Sequence, residues 1–180
     1  QKIPTFQYHR YLDTLFDDHF IYSLDVQSNN IYREVGKHVN QTDINVPLSI
    51  QNSFFDEYLN ASYKAHLYAQ YSKFSGSEEV KSAEWENGYF ARNHHIFSLS
   101  TQLSRAYEEL THVIGFSSTY TFAGDKAKSG YYQEYESFCS DANNINTPEC
   151  EFYNISEIQE ELEFDFSQYV YDASGEQLIY

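Results

Sequence analysis

The residues able to do chemistry are plentiful but poorly organised. Seven His and 27 Asp and Glu supply candidate metal ligands. Glu109 and His112 form a Glu-x-x-His, the spacing by which helices of a di-iron bundle contribute ligand pairs. Such a bundle needs a second Glu-x-x-His and two further Glu, and the second motif is absent. The plainer reading is a surface acid and a histidine one helical turn apart. His94 and His95 are adjacent, so on a strand they point to opposite faces and do not share one ion. Asp17, Asp18 and His19 make a weak cation cluster near the end of an expected helix. There is no Gly-x-Ser-x-Gly elbow, and Gly76, Gly88, Gly115 and Gly124 stand singly rather than in a phosphate-cradling loop. The expectation is a non-enzymatic protein with no catalytic residue, cofactor or metal.

The two cysteines, Cys139 and Cys150, are better spent on each other than on a histidine. Their disulfide closes a loop over residues 139–150 and stabilises by about 3 kcal/mol in the chain-entropy model. Asn40, Asn60 and Asn154 each open an Asn-x-Ser/Thr sequon, so N-linked glycans are expected at these positions. The chain begins at Gln1 and contains no Met, which reads as a processed product. These features together predict a secreted, extracellular protein.

The net charge of −16 repels nucleic acid and anionic membrane surfaces. No run of eighteen apolar residues exists, so no transmembrane segment is expected. With 18 Tyr and 14 Phe, the core and any interface are aromatic and polar-edged.

Positioning these residues calls for elements, and the patterns predict an α+β fold. Its parts are several amphipathic helices, a small antiparallel sheet and the disulfide-closed loop, in a single domain over 1–180. Tyr8, Tyr11, Leu12, Leu15, Phe16 and Phe20 recur at helical spacing after Pro4. A second short helix is read over residues 28–35, stopped at Gly36. Residues 37–50 read as a loop or extended segment. Residues 53–74 admit two readings, best joined as a helix over about 54–60 that hands over to a strand. Across 62–72, Tyr63, Ala65, Leu67, Ala69 and Tyr71 alternate with Ser62, Lys64, His66, Gln70 and Ser72. Residues 76–88, containing the single Trp85, form a polar connection, and 89–100 a strand. Leu99, Leu103, Ala106, Tyr107, Leu110, Val113 and Ile114 give the cleanest helical pattern, ended by Gly115. A surface loop covers 116–130, and Tyr131, Tyr132, Tyr135, Phe138 and Cys139 fit a short helix. Asn-rich residues 141–149 form a turn. Ser156 and Gln159 make a capping box ahead of Leu162, and Phe164, Phe166 and Val170 alternate as a strand.

Residues 53–100 resemble the perforin-like (membrane-attack-complex) family. The likeness lies in a short helix leading to Ala61-Ser62-Tyr63 and an alternating stretch ending Lys73-Phe74-Ser75-Gly76-Ser77, then a polar linker and the extended stretch 89–100. The resemblance implies segments that are helical in a soluble form and refold into membrane hairpins. The family's Tyr-Gly-Thr-His-like motif is missing after the second segment, and the chain is shorter than the family's domain.

Taken together, the sequence predicts a secreted, glycosylated structural or interaction protein. It would be a self-assembling subunit of an extracellular or surface structure whose partners are other protein subunits, in a homo-oligomer or larger assembly, with a perforin-like pore-forming or membrane-active fragment as the alternative.

Overall fold

The computed structural model describes residues 2–15, 20–32, 38–75, 86–147, 150 and 152–179. Eight strands follow one another in chain order: β1 (Lys2–Leu15), β2 (Phe20–Ile31), β3 (His38–Phe54), β4 (Leu59–Ser75), β5 (Gly88–Ala106), β6 (Leu110–Lys128), β7 (Glu161–Asp172) and β8 (Gln177–Ile179). The helix α1 (Tyr131–Cys139) lies between β6 and β7. Each strand pairs antiparallel with its chain neighbour, giving one meander in the order β1 to β8.

This corrects the α+β expectation. Among the described residues one sheet carries a single nine-residue helix, not several amphipathic helices beside a small sheet. Residues 8–15 of the expected first helix lie in β1 and Phe20 opens β2, with Phe16 outside the described residues, and residues 28–31 of the second lie in β2. Gly36, its expected stop, Asp17, Asp18, His19 and Trp85 lie outside the described residues. The helical half of 53–74 is a turn in which Phe55, Asp56 and Glu57 all have positive φ, while its alternating half is β4. The expected loop over 116–130 is mostly β6.

The cleanest helical pattern, residues 99–114, is a hairpin of β5 and β6 joined at 107–109. A spacing of four residues keeps side chains on one side of a helix and equally on one face of a strand. Leu99 and Leu103 share a face of β5, Leu110 and Ile114 share a face of β6, and Leu103 sits directly opposite Ile114. The flanking Ser98, Ser100, Thr101, Thr111, Ser117 and Thr119 lean the choice toward strand, where Thr is favoured and helix-competing hydroxyls cost little. Gly115, the expected helix stop, is interior to β6 and pairs with Ser167.

The short helix over 131–139 forms where the sequence places it, and the Cys139–Cys150 disulfide is made across a sequence separation of 11. Tyr131, Tyr132, Tyr135, Cys139, Cys150 and Phe152 pack on Val39 and Phe90 to make the buried core. This core occupies only one end of one face of the sheet. The chain therefore exposes 12467 Å², whereas a compact globular chain of 21.1 kDa exposes roughly 9,000 Å².

Candidate functional site: an uncovered apolar face backed by a polar one

Register decides which side chains share a face. Paired residues of antiparallel strands point the same way, so the ladders can be followed across the sheet. One face collects Phe20, Tyr22, Leu24 and Val26 of β2; Ile44, Val46, Leu48 and Ile50 of β3; and Tyr63, Ala65, Leu67, Ala69 and Tyr71 of β4. It continues through Phe97, Leu99 and Leu103 of β5, Ile114, Phe116, Tyr120 and Phe122 of β6, and Leu162, Phe164, Phe166 and Val170 of β7. Among the described residues nothing covers these side chains: Phe164 and Phe166 are 64% and 67% exposed, Leu162 54% and Phe116 45%. From β2 to β5 this face carries no Asp or Glu, although the chain has 27. The row Ala69, Ala91 and Ala127 opens a shallow hollow of about 380 Å³ in it.

The opposite face is polar. Asp25, Gln27 and Asn29 of β2, Gln41, Asp43 and Asn45 of β3, and Lys64, His66, Tyr68, Gln70 and Ser72 of β4 line it. Arg92, His94 and Ser98 of β5 and Glu161, Glu163 and Asp165 of β7 complete it. A buried network ties α1 to this face. The Tyr132 hydroxyl donates to Gln70 Oε1 at 2.6 Å and lies 2.7 Å from Ser72 Oγ. Gln41 Nε2 donates to the Phe152 carbonyl at 3.1 Å. Burial pushes the Tyr132 hydroxyl up to about 12, and burial raises Tyr131 as well. Lys126 and Lys128 both pair with Glu136 of α1, and Arg92 donates to the Ser156 carbonyl.

Three further regularities accompany this sidedness. The connections at one end of the meander are short (16–19, 55–58, 107–109 and 173–176), and those at the other are long (32–37, 76–87 and 129–160). The apolar band also drifts. On β2 and β3 it spans residues 20–26 and 44–50, opposite residues 63–69 of β4. On β7, Leu162 and Phe164 register through β6 and β5 with Tyr63 and Ala61, and Phe166 and Val170 lie still nearer the short-turn end. The band centre moves by about seven residues over five strand spacings, ~23 Å along the strands against ~24 Å across them, an angle of about 45°. Finally, tyrosines flank the band: Tyr71 and Tyr89 are directly paired toward the long connections, and Tyr58 and Tyr107 stand exposed by the short turns.

The residues singled out by sequence distribute as follows. Glu109 ends a strand-to-strand turn and His112 lies on β6, so the Glu-x-x-His is not on a helix. His94 and His95 do face opposite sides: His95 stacks on Tyr63 and is hydrogen-bonded to its hydroxyl at 2.7 Å, while His94 stacks on His66. Among the described residues no group of three or more His, Cys, Asp or Glu is placed to hold a metal ion. Asn40 and Asn60 are half-buried within β3 and β4, with Asn40 Nδ2 donating to Asn30 at 2.6 Å and Asn60 accepting from Ser53 at 2.7 Å. Asn154 is exposed beyond the disulfide loop. The signal for this face is present in sequence: Ile44, Val46, Leu48 and Ile50 alternate with Asn45, Pro47 and Ser49, and Leu162, Phe164 and Phe166 with Glu163, Asp165 and Ser167, as strictly as β4 does, but the reading of 37–50 as a loop or extended segment left these stretches unjoined. No helix among the described residues is long and apolar enough to cross a membrane, a statement that does not bear on strands. No protein-family model matches the chain, and no curated protein or solved structure matches it.

Proposed function

We propose that this chain forms part of the wall of a membrane-spanning β-barrel, with the apolar face toward lipid and the polar face toward a water-filled lumen. The observation that carries the reading is the drift of the apolar band at about 45° to the strands, because strands of membrane barrels tilt by roughly 35–45°. A soluble sandwich has no reason to keep its apolar band level with a plane oblique to its strands. Alternating outward-apolar and inward-polar residues, short turns at one end, longer connections at the other and flanking aromatics all belong to the same architecture. Apolar runs of about seven to nine residues approach the 9–11 residues of a crossing strand. The perforin-like resemblance of residues 53–100 points to the same class of membrane hairpin, with β4 and β5 as its strands. A formed disulfide fits a protein exported to an oxidising compartment. The role is passage or anchorage without catalysis, narrowed at the long-connection end by α1 and its disulfide loop.

The second reading is a secreted, glycosylated subunit whose apolar face is covered by another copy. The excess of roughly 3,400 Å² over a compact chain favours it too, being well above the ~800 Å² that one partner gives a standard interface. The test is transfer of the unfolded chain from urea into thin-bilayer vesicles and, separately, into buffer. Membrane insertion predicts protease-protected, heat-modifiable protein in the vesicles and precipitation or aggregation in buffer. A discrete water-soluble oligomer that ignores vesicles overturns the membrane reading and supports the subunit.

A further inference from the structure

We propose that His66 and His94 form a two-histidine site on the polar face for a borderline transition-metal cation: Zn²⁺, Ni²⁺ or Cu²⁺. The two residues are direct cross-strand partners at the middle of β4 and β5. Their rings stack with centroids 4.6 Å apart and 9° between planes. Directly opposed Cβ atoms on antiparallel strands are about 4.5–5.5 Å apart, the separation from which two imidazoles reach one ion at about 2.0–2.1 Å per nitrogen after each ring turns about its Cβ–Cγ bond. The second observation is independent of this spacing. His94 Nδ1 is shielded from solvent and has no hydrogen-bond partner, whereas the neighbouring His95 is satisfied by Tyr63. A shielded polar atom without a partner costs free energy, and a ligand is one of the few explanations of it.

The surroundings define the class of ion. The cationic side chains that bear on the pair are Lys64 on His66 and Arg92 on His94, so electrostatics oppose a cation held by charge alone. Hard ions such as Ca²⁺ and Mg²⁺, which need carboxylate oxygens, are therefore excluded, and ions with strong affinity for neutral imidazole are selected. With two protein nitrogens the remaining positions are open to water or to a solute's donor groups. Unbroken pairing of β4 with β3 and with β5 fixes the two histidines opposite each other, while the β5–β6 register shifts between Arg92 and His94. The site stands whether the apolar face meets lipid or protein.

The experiment is calorimetric titration of the refolded, metal-stripped chain with Zn²⁺ and Ni²⁺, in detergent or buffer according to its solubility. His66→Ala, His94→Ala and His95→Ala are compared with the unaltered chain, and circular dichroism verifies the sheet in each. The expected result is one equivalent bound, affinity lowered more than about tenfold by either His66→Ala or His94→Ala, and no change in His95→Ala, whose ring faces the other side. A Cu²⁺ electron paramagnetic spectrum should show two nitrogen ligands in the unaltered chain and one in each single variant. Binding that is absent, or equal in all four proteins, overturns the proposal.

Discussion

Placing an arginine at Phe166 separates the two environments that its face can meet. Phe166 lies near the centre of the apolar run on β7, pairs with Phe116 and is 67% exposed. In water, replacing so exposed a ring has little to disrupt, and an effect within about 0.5 kcal/mol is expected for the isolated chain. In a bilayer, Arg on the lipid-facing side near the midplane costs about 2–4 kcal/mol. That is a factor of roughly 30 to 1,000 in the folding equilibrium, since each 1.4 kcal/mol is tenfold. The adjacent Asp165 points to the polar face, where its carboxylate accepts from Ser117 Oγ at 3.1 Å. Asp165→Arg therefore removes one exposed hydrogen bond, worth roughly 1 kcal/mol, and meets no lipid. The assay is urea-dependent folding into thin-bilayer vesicles, followed by gel mobility of unheated samples. Phe166→Arg should lower the midpoint markedly and Asp165→Arg only slightly. Equal midpoints for the two variants, or a larger loss in Asp165→Arg, would refute the assignment of the faces. If a second copy covers the face instead, Phe166→Arg should reduce particle size in buffer.

Two further outcomes follow from the buried end of the polar face. Cys139→Ala with Cys150→Ala should destabilise the helix end by about 3 kcal/mol, read as a lower urea midpoint that reductant no longer shifts. Tyr132→Phe removes the hydroxyl between Gln70 and Ser72 and leaves buried polar atoms unpaired, a loss of about 1–3 kcal/mol by denaturant titration. The same hydroxyl sets a pH dependence. Its folded value of about 12 lies above the usual 10.0, so its contribution is complete below pH 10 and lost as pH rises through about 12. Alkaline titration of the Tyr132→Phe chain should show a shallower loss of stability over that window.

Some of this architecture was legible in the residues alone. Residues 62–72 alternate with period two, and they are a strand. Tyr131, Tyr132 and Tyr135 have helical spacing, and with two nearby cysteines they announce the helix α1 and the disulfide. His94 and His95 had to diverge because consecutive strand residues always do. These are local statements, and local geometry suffices for them. Leu99, Leu103, Leu110 and Ile114 show where locality fails. A spacing of four serves helix and strand alike, and only the pairing of Leu103 with Ile114 across a hairpin resolves it. Sidedness, the oblique drift of the apolar band, the contact between His66 and His94 and the packing of α1 over Gln41, Gln70 and Ser72 all depend on register between strands separated in sequence. Register is set by ladder hydrogen bonds and by which rows of side chains meet, and no single strand contains that information.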